Sequence, residues 1–176
     1  MVAFSQSPEA LAWARQLLVE NWGPIAMESD LFDFDQTDYY RDEMGANLKK
    51  VIWAFELPAD PGELASWKRQ SNSWERNCRS PSRDKVERPL NLDPGYLSEA
   101  KLVLATTKDR DHRIYLGQGI FAKCTLYFHK RQWQPRDWTY PDFCSAPYRA
   151  FLLDCRDYLR ERSRQESVEE EQGERR

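Results

Sequence analysis

The residues with the types and spacing to do chemistry fall in three short stretches. Between Glu28 and Glu43 lie Glu28, Asp30, Asp33, Asp35, Asp38, Asp42 and Glu43, opposed only by Arg41. Asp33 and Asp35 are two apart in an alternating stretch, Leu31 to Asp35. On a strand both carboxylates leave one face, about 7 Å apart. Such a pair can share a divalent cation and its waters, so Asp33 and Asp35 are the candidate metal ligands and Mg2+ the candidate ion. An EF-hand loop does not fit, because Asp38 stands where Gly is required and Met44 where a bidentate Glu is required. Thr37 or Asp38 can cap a short helix that Gly45 ends, and Tyr40, Glu43 and Met44 then line one side of it. Asp38, Tyr40 and Glu43 are the candidates here for holding the polar groups of a ligand.

The second stretch is Asn91-Leu92-Asp93-Pro94-Gly95-Tyr96. Asn91 and Asp93 share one face of an extended segment beside an expected Pro-Gly turn, where carboxylates are often presented at a sheet edge. Asp93 is the candidate catalytic carboxylate and Asn91 a ligand contact. The third stretch, Thr106 to Arg113, packs two hydroxyls, three cations and His112 into one loop. Lys108 and Arg113 are candidate phosphate ligands, Arg because its guanidinium can bind bidentately. A histidine can exchange a proton near neutral pH, so His112 is the candidate general acid. Each stretch also has a plain structural reading: a solvated strand face with a helix start, a turn capped by Asp93, and a charged loop entering a hairpin.

The elements that must position these residues can be read from pattern. Val2 to Phe4 reads as a short strand. Ser7-Pro8-Glu9 opens a helix with a capping hydroxyl, Pro at the first helical position and an acid in the first turn, and Gly23-Pro24 stops it. Leu11, Ala14, Leu17 and Leu18 share its apolar face. Lys50 to Glu56 reads as a strand. Asp60-Pro61-Gly62-Glu63 is a capping box before a helix whose Leu64, Trp67, Ser71 and Trp74 share a stripe. Arg76 to Arg88 is a polar, Arg-rich loop. Pro89 to Asp93 is extended, and Leu97 to Thr107 is ambiguous between helix and strand. His112 to Leu116 and Ile120 to Phe128 flank Gly117-Gln118-Gly119 as a hairpin. Tyr148, Phe151, Leu152, Cys155 and Leu159 mark an amphipathic helix. The pattern predicts an α+β fold: one domain over residues 1–160, a mostly antiparallel sheet with helices packed on it, and a disordered, charged tail at 161–176.

Composition narrows the classes. The chain has 176 residues, 40% of them hydrophobic, with seven Trp, eight Tyr and eight Phe, so an aromatic-heavy core is expected. Net charge is -3, which argues against DNA binding and against a general nucleic-acid coat. No run approaches the ~20 apolar residues of a membrane span, so no membrane association is expected. Met1 to Pro8 lacks a charged start and a long apolar stretch, so a cytoplasmic location is expected. Cys78, Cys124, Cys144 and Cys155 are far apart and form no CxxC pair, which argues for reduced, mostly buried thiols rather than zinc. No Gly-x-Ser-x-Gly elbow and no HExxH is present.

Four stretches together resemble one prokaryotic family. They are Phe32 to Gly45 (FDFDQTDYYRDEMG), Leu90 to Leu126, Trp138 to Phe143 (WTYPDF) and the opening helix ending NWGPI. In order and wording they are similar to the uncharacterised domain of unknown function 4416, over roughly residues 2 to 160. Two departures are a short first strand and Lys123, where the family usually has Glu. The resemblance implies a cytoplasmic globular domain, and members often carry a GTP-binding label. A P-loop needs GxxxxGK[ST]. Only Gly117 and Gly119 come close together, in a hairpin with no Lys-Ser/Thr after it, and Thr107-Lys108-Asp109 has the wrong spacing for guanine recognition. Conventional GTPase chemistry is therefore not expected. Two functions remain: a domain, catalytic or not, that binds a nucleotide or other phosphorylated small molecule, and a non-catalytic domain for a protein or RNA partner.

Overall fold

The structure is a computed structural model that describes residues 1–34, 40–79 and 86–173, with side chains described to residue 165. The chain divides into two compact units. One holds Met1–Tyr96 and Val103–Lys123, the other Leu97–Leu102 and Cys124–Arg176. The fold class is α+β with two antiparallel sheets, as the pattern predicts. Among the described residues, no helix is long and apolar enough to cross a membrane.

The first unit begins with β1 (Val2–Ser5) and α1 (Pro8–Trp22). Ser7 Oγ accepts from the Ala10 N–H at 3.2 Å, and Gly23, at φ 91°, ends the helix by donating to the Val19 carbonyl. The sheet adds β2 (Ile25–Glu28), β3 (Phe32–Asp33), β4 (Lys49–Phe55) and β5 (Asn91–Asp93), in the order β2-β4-β1-β5 with β3 also on β4. Between β3 and β4 lies the short α2 (Arg41–Met44), ended by Gly45 at φ 86°. Asp60 Oδ1 accepts from Gly62 N–H and starts a 3-10 turn that runs into α3 (Leu64–Asn77).

One face of this sheet, carrying Ala3, Val51, Trp53 and Leu92, packs with Ala10, Leu11, Ala14 and Leu18 of α1. Trp22 and Phe55 meet edge-on at 5.4 Å, and Trp22 lies 5.7 Å from Trp74. The aromatic content is thus spent on packing around this core, as the composition suggests.

The second sheet has the order β10-β9-β7-β6, with β8 on β9. Its strands are β6 (Gly95–Leu97), β7 (Lys101–Thr106), β8 (Ile114–Gly117), β9 (Ile120–His129) and β10 (Gln132–Pro135). Leu97 to Thr107, ambiguous in sequence, is mainly strand β7. The hairpin loop forms as expected, with Gly117, Gln118 and Gly119 all at positive φ. Lys123 and Thr125 are buried on the β9 face opposite Ile120 and Leu126. Pro94-Gly95 is not the sharp turn that the sequence suggests. It is a one-residue break between β5 and β6, because Pro94 has no N–H to continue a ladder. The Pro94 carbonyl instead accepts from Ala105 N–H at 2.9 Å.

In the second unit α4 (Ala146–Gly173) follows a 3-10 turn at Pro141–Cys144. Tyr148, Leu152 and Cys155 are its buried positions, as its stripe predicts. The Arg156 guanidinium lies 3.7 Å from the Phe128 ring centre and donates to the Glu99 carbonyl at 2.8 Å. Trp138 Nε1 donates to the Cys124 carbonyl, and Thr139 Oγ1 to that of Thr125. The backbone of α4 carries on past Arg160, where the sequence shows no apolar stripe. Arg, Glu and Gln are strong helix formers and extend it, and residues 161–165 are mostly exposed. The four cysteines are free, and burial pushes the Cys155 thiol up to about 12.

Gly95 carries the join between the two strands. A Cβ there would collide with the Val103 carbonyl oxygen and the Leu104 side chain. Gly95→Ala is expected to destabilise the protein by about 3 kcal/mol, read as a lowered midpoint in urea unfolding.

Candidate ligand-binding site

The three chemistry-bearing stretches are placed very differently. The acidic segment is dispersed. Glu28 accepts from Trp53 Nε1 and Arg15 Nε, both at 2.8 Å. Asp33 is exposed and pairs with Lys49 beside it on β4. Asp35 and Asp38 lie outside the described residues. Among the described residues, no group of three or more His, Cys, Asp or Glu side chains is placed to hold a metal ion.

Tyr40 and Glu43 belong to a different surface. Phe4 on β1 stands opposite Lys50 on β4 and opposite Asn91 on β5. Val2 stands opposite Ile52 and Asp93 in the same way. Directly opposite residues share a face, so Lys50, Phe4, Asn91 and Asp93 lie on the sheet face away from α1. Tyr40 packs there, 5.0 Å from Phe4 and 6.0 Å from Phe34. The buried Lys50 ammonium sits 3.5 Å from the Phe34 ring centre and 5.1 Å from that of Phe4. Arg88 stacks over Tyr40 at 5.5 Å and reaches Glu43 at 3.7 Å.

At the β5 edge is a buried polar network. Lys68 of α3 donates to the Leu92 carbonyl at 2.6 Å and to Asp93 Oδ1 at 2.9 Å. Asn91 Nδ2 donates to Asp93 Oδ2 at 2.9 Å. Glu75 Oε1 accepts the Leu92 N–H at 2.7 Å and stands 3.7 Å from Lys68 Nζ. Ser71 Oγ also approaches the Leu92 carbonyl, at 3.4 Å. The Lys68 and Glu75 side chains are nearly covered, while that of Asp93 keeps 32% of its surface exposed. Burial opposes the Asp93 charge, but Lys68, Asn91 and the more distant Lys50 outweigh it and hold the carboxyl below its usual range. Glu75 goes the other way: burial pushes it up, against the pull of Lys68 and the Leu92 N–H. Two linked carboxyls with opposite shifts are the pattern of a split between base and acid.

The basic loop follows β7. The Ala105 N–H donates to the Pro94 carbonyl at 2.9 Å, and Asp93 and Thr106 are the chain neighbours of these two residues. Arg113 Nη1 reaches Thr106 Oγ1 at 3.4 Å and donates to the Lys108 carbonyl at 2.8 Å. Lys108 N–H donates to Thr106 Oγ1 at 3.2 Å. His112 lies between Asp111, 3.1 Å from Nδ1, and Arg113, 3.4 Å from Nε2. Its ring braces Arg113 within the loop. The structure therefore brings Asn91 to Asp93, gathers Thr106, Lys108, His112 and Arg113 in one loop, sets Tyr40 and Glu43 on the aromatic sheet face, and places Asp33 on β3 beside Lys49.

Sequence reasoning missed Lys68, Glu75 and Lys50. A signal existed for the first two. Leu64, Lys68, Ser71 and Glu75 recur at helical spacing, so polar residues occupy a stripe that begins with a buried Leu. Lys50 sits in an apolar strand and gives no such signal.

The family model described as domain of unknown function (DUF4416) matches residues 1–158. The chain belongs to this family. No curated protein and no solved structure matches it. The DUF4416 match spans both units and every candidate site residue named above.

The opposite shifts predict opposite pH behaviour. Glu75 titrates higher when folded, so its contribution is present in acid and lost as pH rises through that raised value. Glu75→Gln keeps an acceptor for the Leu92 N–H and does not titrate. Its stability relative to the native chain is expected to improve as pH rises from the ordinary carboxylate range through that raised value. Asp93 contributes above the ordinary carboxylate range and loses that contribution as pH falls through its lowered value. Asp93→Asn is expected to cost about 1–3 kcal/mol at neutral pH, with the gap closing in acid. Urea unfolding across pH measures both.

Proposed function

We propose that this chain binds a phosphorylated small molecule, a nucleotide or sugar phosphate, through Asp93 and the Thr106–Arg113 loop. What supports the reading is the Pro94–Ala105 hydrogen bond, whose two residues adjoin Asp93 and Thr106, together with the reach of Arg113 to Thr106. In this reading Arg113 takes the phosphate and Lys108, whose carbonyl it binds, supplies a second cation from the same loop. His112 holds the guanidinium in place from one side while Thr106 and the Lys108 carbonyl hold it from the other. Cationic side chains in fixed geometry suit an anion whose charge is spread over several oxygens. Asp93 faces the non-phosphate part of the ligand. Its ionised state at neutral pH also suits it to take a proton from a substrate hydroxyl, which is the catalytic version of the same reading.

A second reading is supported by β8. This edge strand exposes Ile114, Tyr115 and Leu116 in succession, at 71%, 59% and 40% of their surface. Exposed apolar edge strands are templates for pairing with another chain, which suits an interaction domain.

Thermal-shift titration separates the two. Inorganic phosphate, pyrophosphate, sugar phosphates, nucleotides and a short RNA are each added with and without Mg2+. Ligand at 100 times its dissociation constant stabilises the folded state by about 2.7 kcal/mol. A phosphate-bearing ligand is expected to raise Tm, and Arg113→Ala to weaken that ligand by roughly tenfold or more, in line with about 1.5–3 kcal/mol for a charged hydrogen bond. A flat response to every small phosphate removes the proposal and leaves the interaction surface.

A further inference from the structure

We infer that Lys68 is a positioning residue that sets Asp93 to receive a vicinal pair of hydroxyls, so that the ligand is a ribose-type phosphate ester bound without a bridging metal ion. This rests on the phosphate reading above and adds the other half of the ligand.

An ionised carboxylate has two oxygens and about four acceptor positions. Lys68 Nζ takes one position on Oδ1 and Asn91 Nδ2 takes one on Oδ2, each at 2.9 Å. One position on each oxygen is left, and the side chain is 32% exposed. The carboxylate is therefore held by two buried donors, one on each oxygen, with one acceptor position on each oxygen left over. Lys68 is itself fixed, because its ammonium also donates to the Leu92 carbonyl and faces Glu75.

The chemistry of what fits follows by elimination among donors and acceptors. A phosphate oxygen cannot sit on Asp93, since like charges repel there. It goes to Arg113. A ligand ammonium is disfavoured by Lys68 and Lys50, whose field already acts on the same carboxylate. A neutral hydroxyl donor meets neither objection. Two adjacent hydroxyls match the two positions left over, one hydrogen bond to each oxygen. A divalent cation would have to approach a carboxylate that already has an ammonium 2.9 Å away. Lys68 supplies the positive charge in its place.

Charged neighbours on two elements set the protonation of Asp93. Lys68 and Glu75 face it from α3, Lys50 acts from β4, and Arg88 acts on Glu75. Removing Lys68 weakens the hold on the ionised form. Discrimination for hydroxyls then fails at a higher pH than in the native chain, a change that loss of packing alone does not produce.

The test is isothermal titration in EDTA with matched pairs: ribose 5-phosphate against 2-deoxyribose 5-phosphate, adenosine 5'-monophosphate against its 2'-deoxy form, and inorganic phosphate. The hydroxyl-bearing member of a pair is expected to bind about tenfold tighter, the size of one good hydrogen bond to a charged group. Asp93→Asn abolishes that ratio while binding of inorganic phosphate persists. Lys68→Met moves the pH at which the ratio is lost upward. Asn91→Ala, which leaves Lys68 in place, lowers the ratio as well and serves if Lys68→Met fails to fold. Equal binding of the ribose and deoxyribose members, or binding that needs Mg2+, overturns this inference and leaves phosphate binding standing. No binding of any phosphate removes both.

Discussion

The ammonium of Lys68 is the contact on which the first unit's architecture depends. It comes from the middle of α3, lies almost wholly out of solvent, and reaches the Leu92 carbonyl and Asp93 on β5. A buried charge with no partner is costly, so this position requires the helix and strand to stay in register with each other. Glu75, two turns further along α3, completes the arrangement by accepting the Leu92 N–H. Together the two side chains satisfy the outward backbone groups of an edge strand. The β5 edge is closed to pairing, and α3 is locked to it by polar bonds rather than by apolar packing alone.

That solution has a consequence for chemistry. A buried ion pair is weak support for stability when compared with a hydrophobic isostere. The network is nevertheless arranged so that one carboxyl remains half open and ionised while its neighbour is pushed toward the neutral form. On the same sheet face a second buried lysine, Lys50, lies against the rings of Phe34 and Phe4. Its positive field adds to that of Lys68. The first sheet thus has an apolar face that packs with α1 and a polar, aromatic face with two lysines, and Asp93 stands where that face meets the edge.

Much of this was legible in the chain. Ser7-Pro8 and Gly23 mark both ends of α1 because capping is local chemistry, set by side-chain oxygens and a left-handed glycine within a turn of each other. The β8–β9 hairpin and the stripe of α4 were legible for the same reason. Asn91 and Asp93 were placed on one face by strand alternation alone. Pro94-Gly95 was misread as a turn: both residues favour turns, but here one interrupts a ladder and the other makes room for the Val103 carbonyl. The β10 strand left no clear pattern, since Gln132–Pro135 alternates over too few residues.

The sequence by itself determined the fold class, most element boundaries, the family and the inventory of reactive side chains, because those follow from periodicity, capping and wording along the chain. The tertiary structure alone decided which of them have contacts with one another. It paired Asp33 with Lys49, tied Pro94 to Ala105 through one backbone hydrogen bond, and supplied Lys68 and Glu75 from a helix 18 to 25 residues earlier. The reason is physical. A carboxylate's protonation and the directions in which it accepts depend on charges and donors within a few ångströms, and those neighbours come from other elements whose approach no local pattern records.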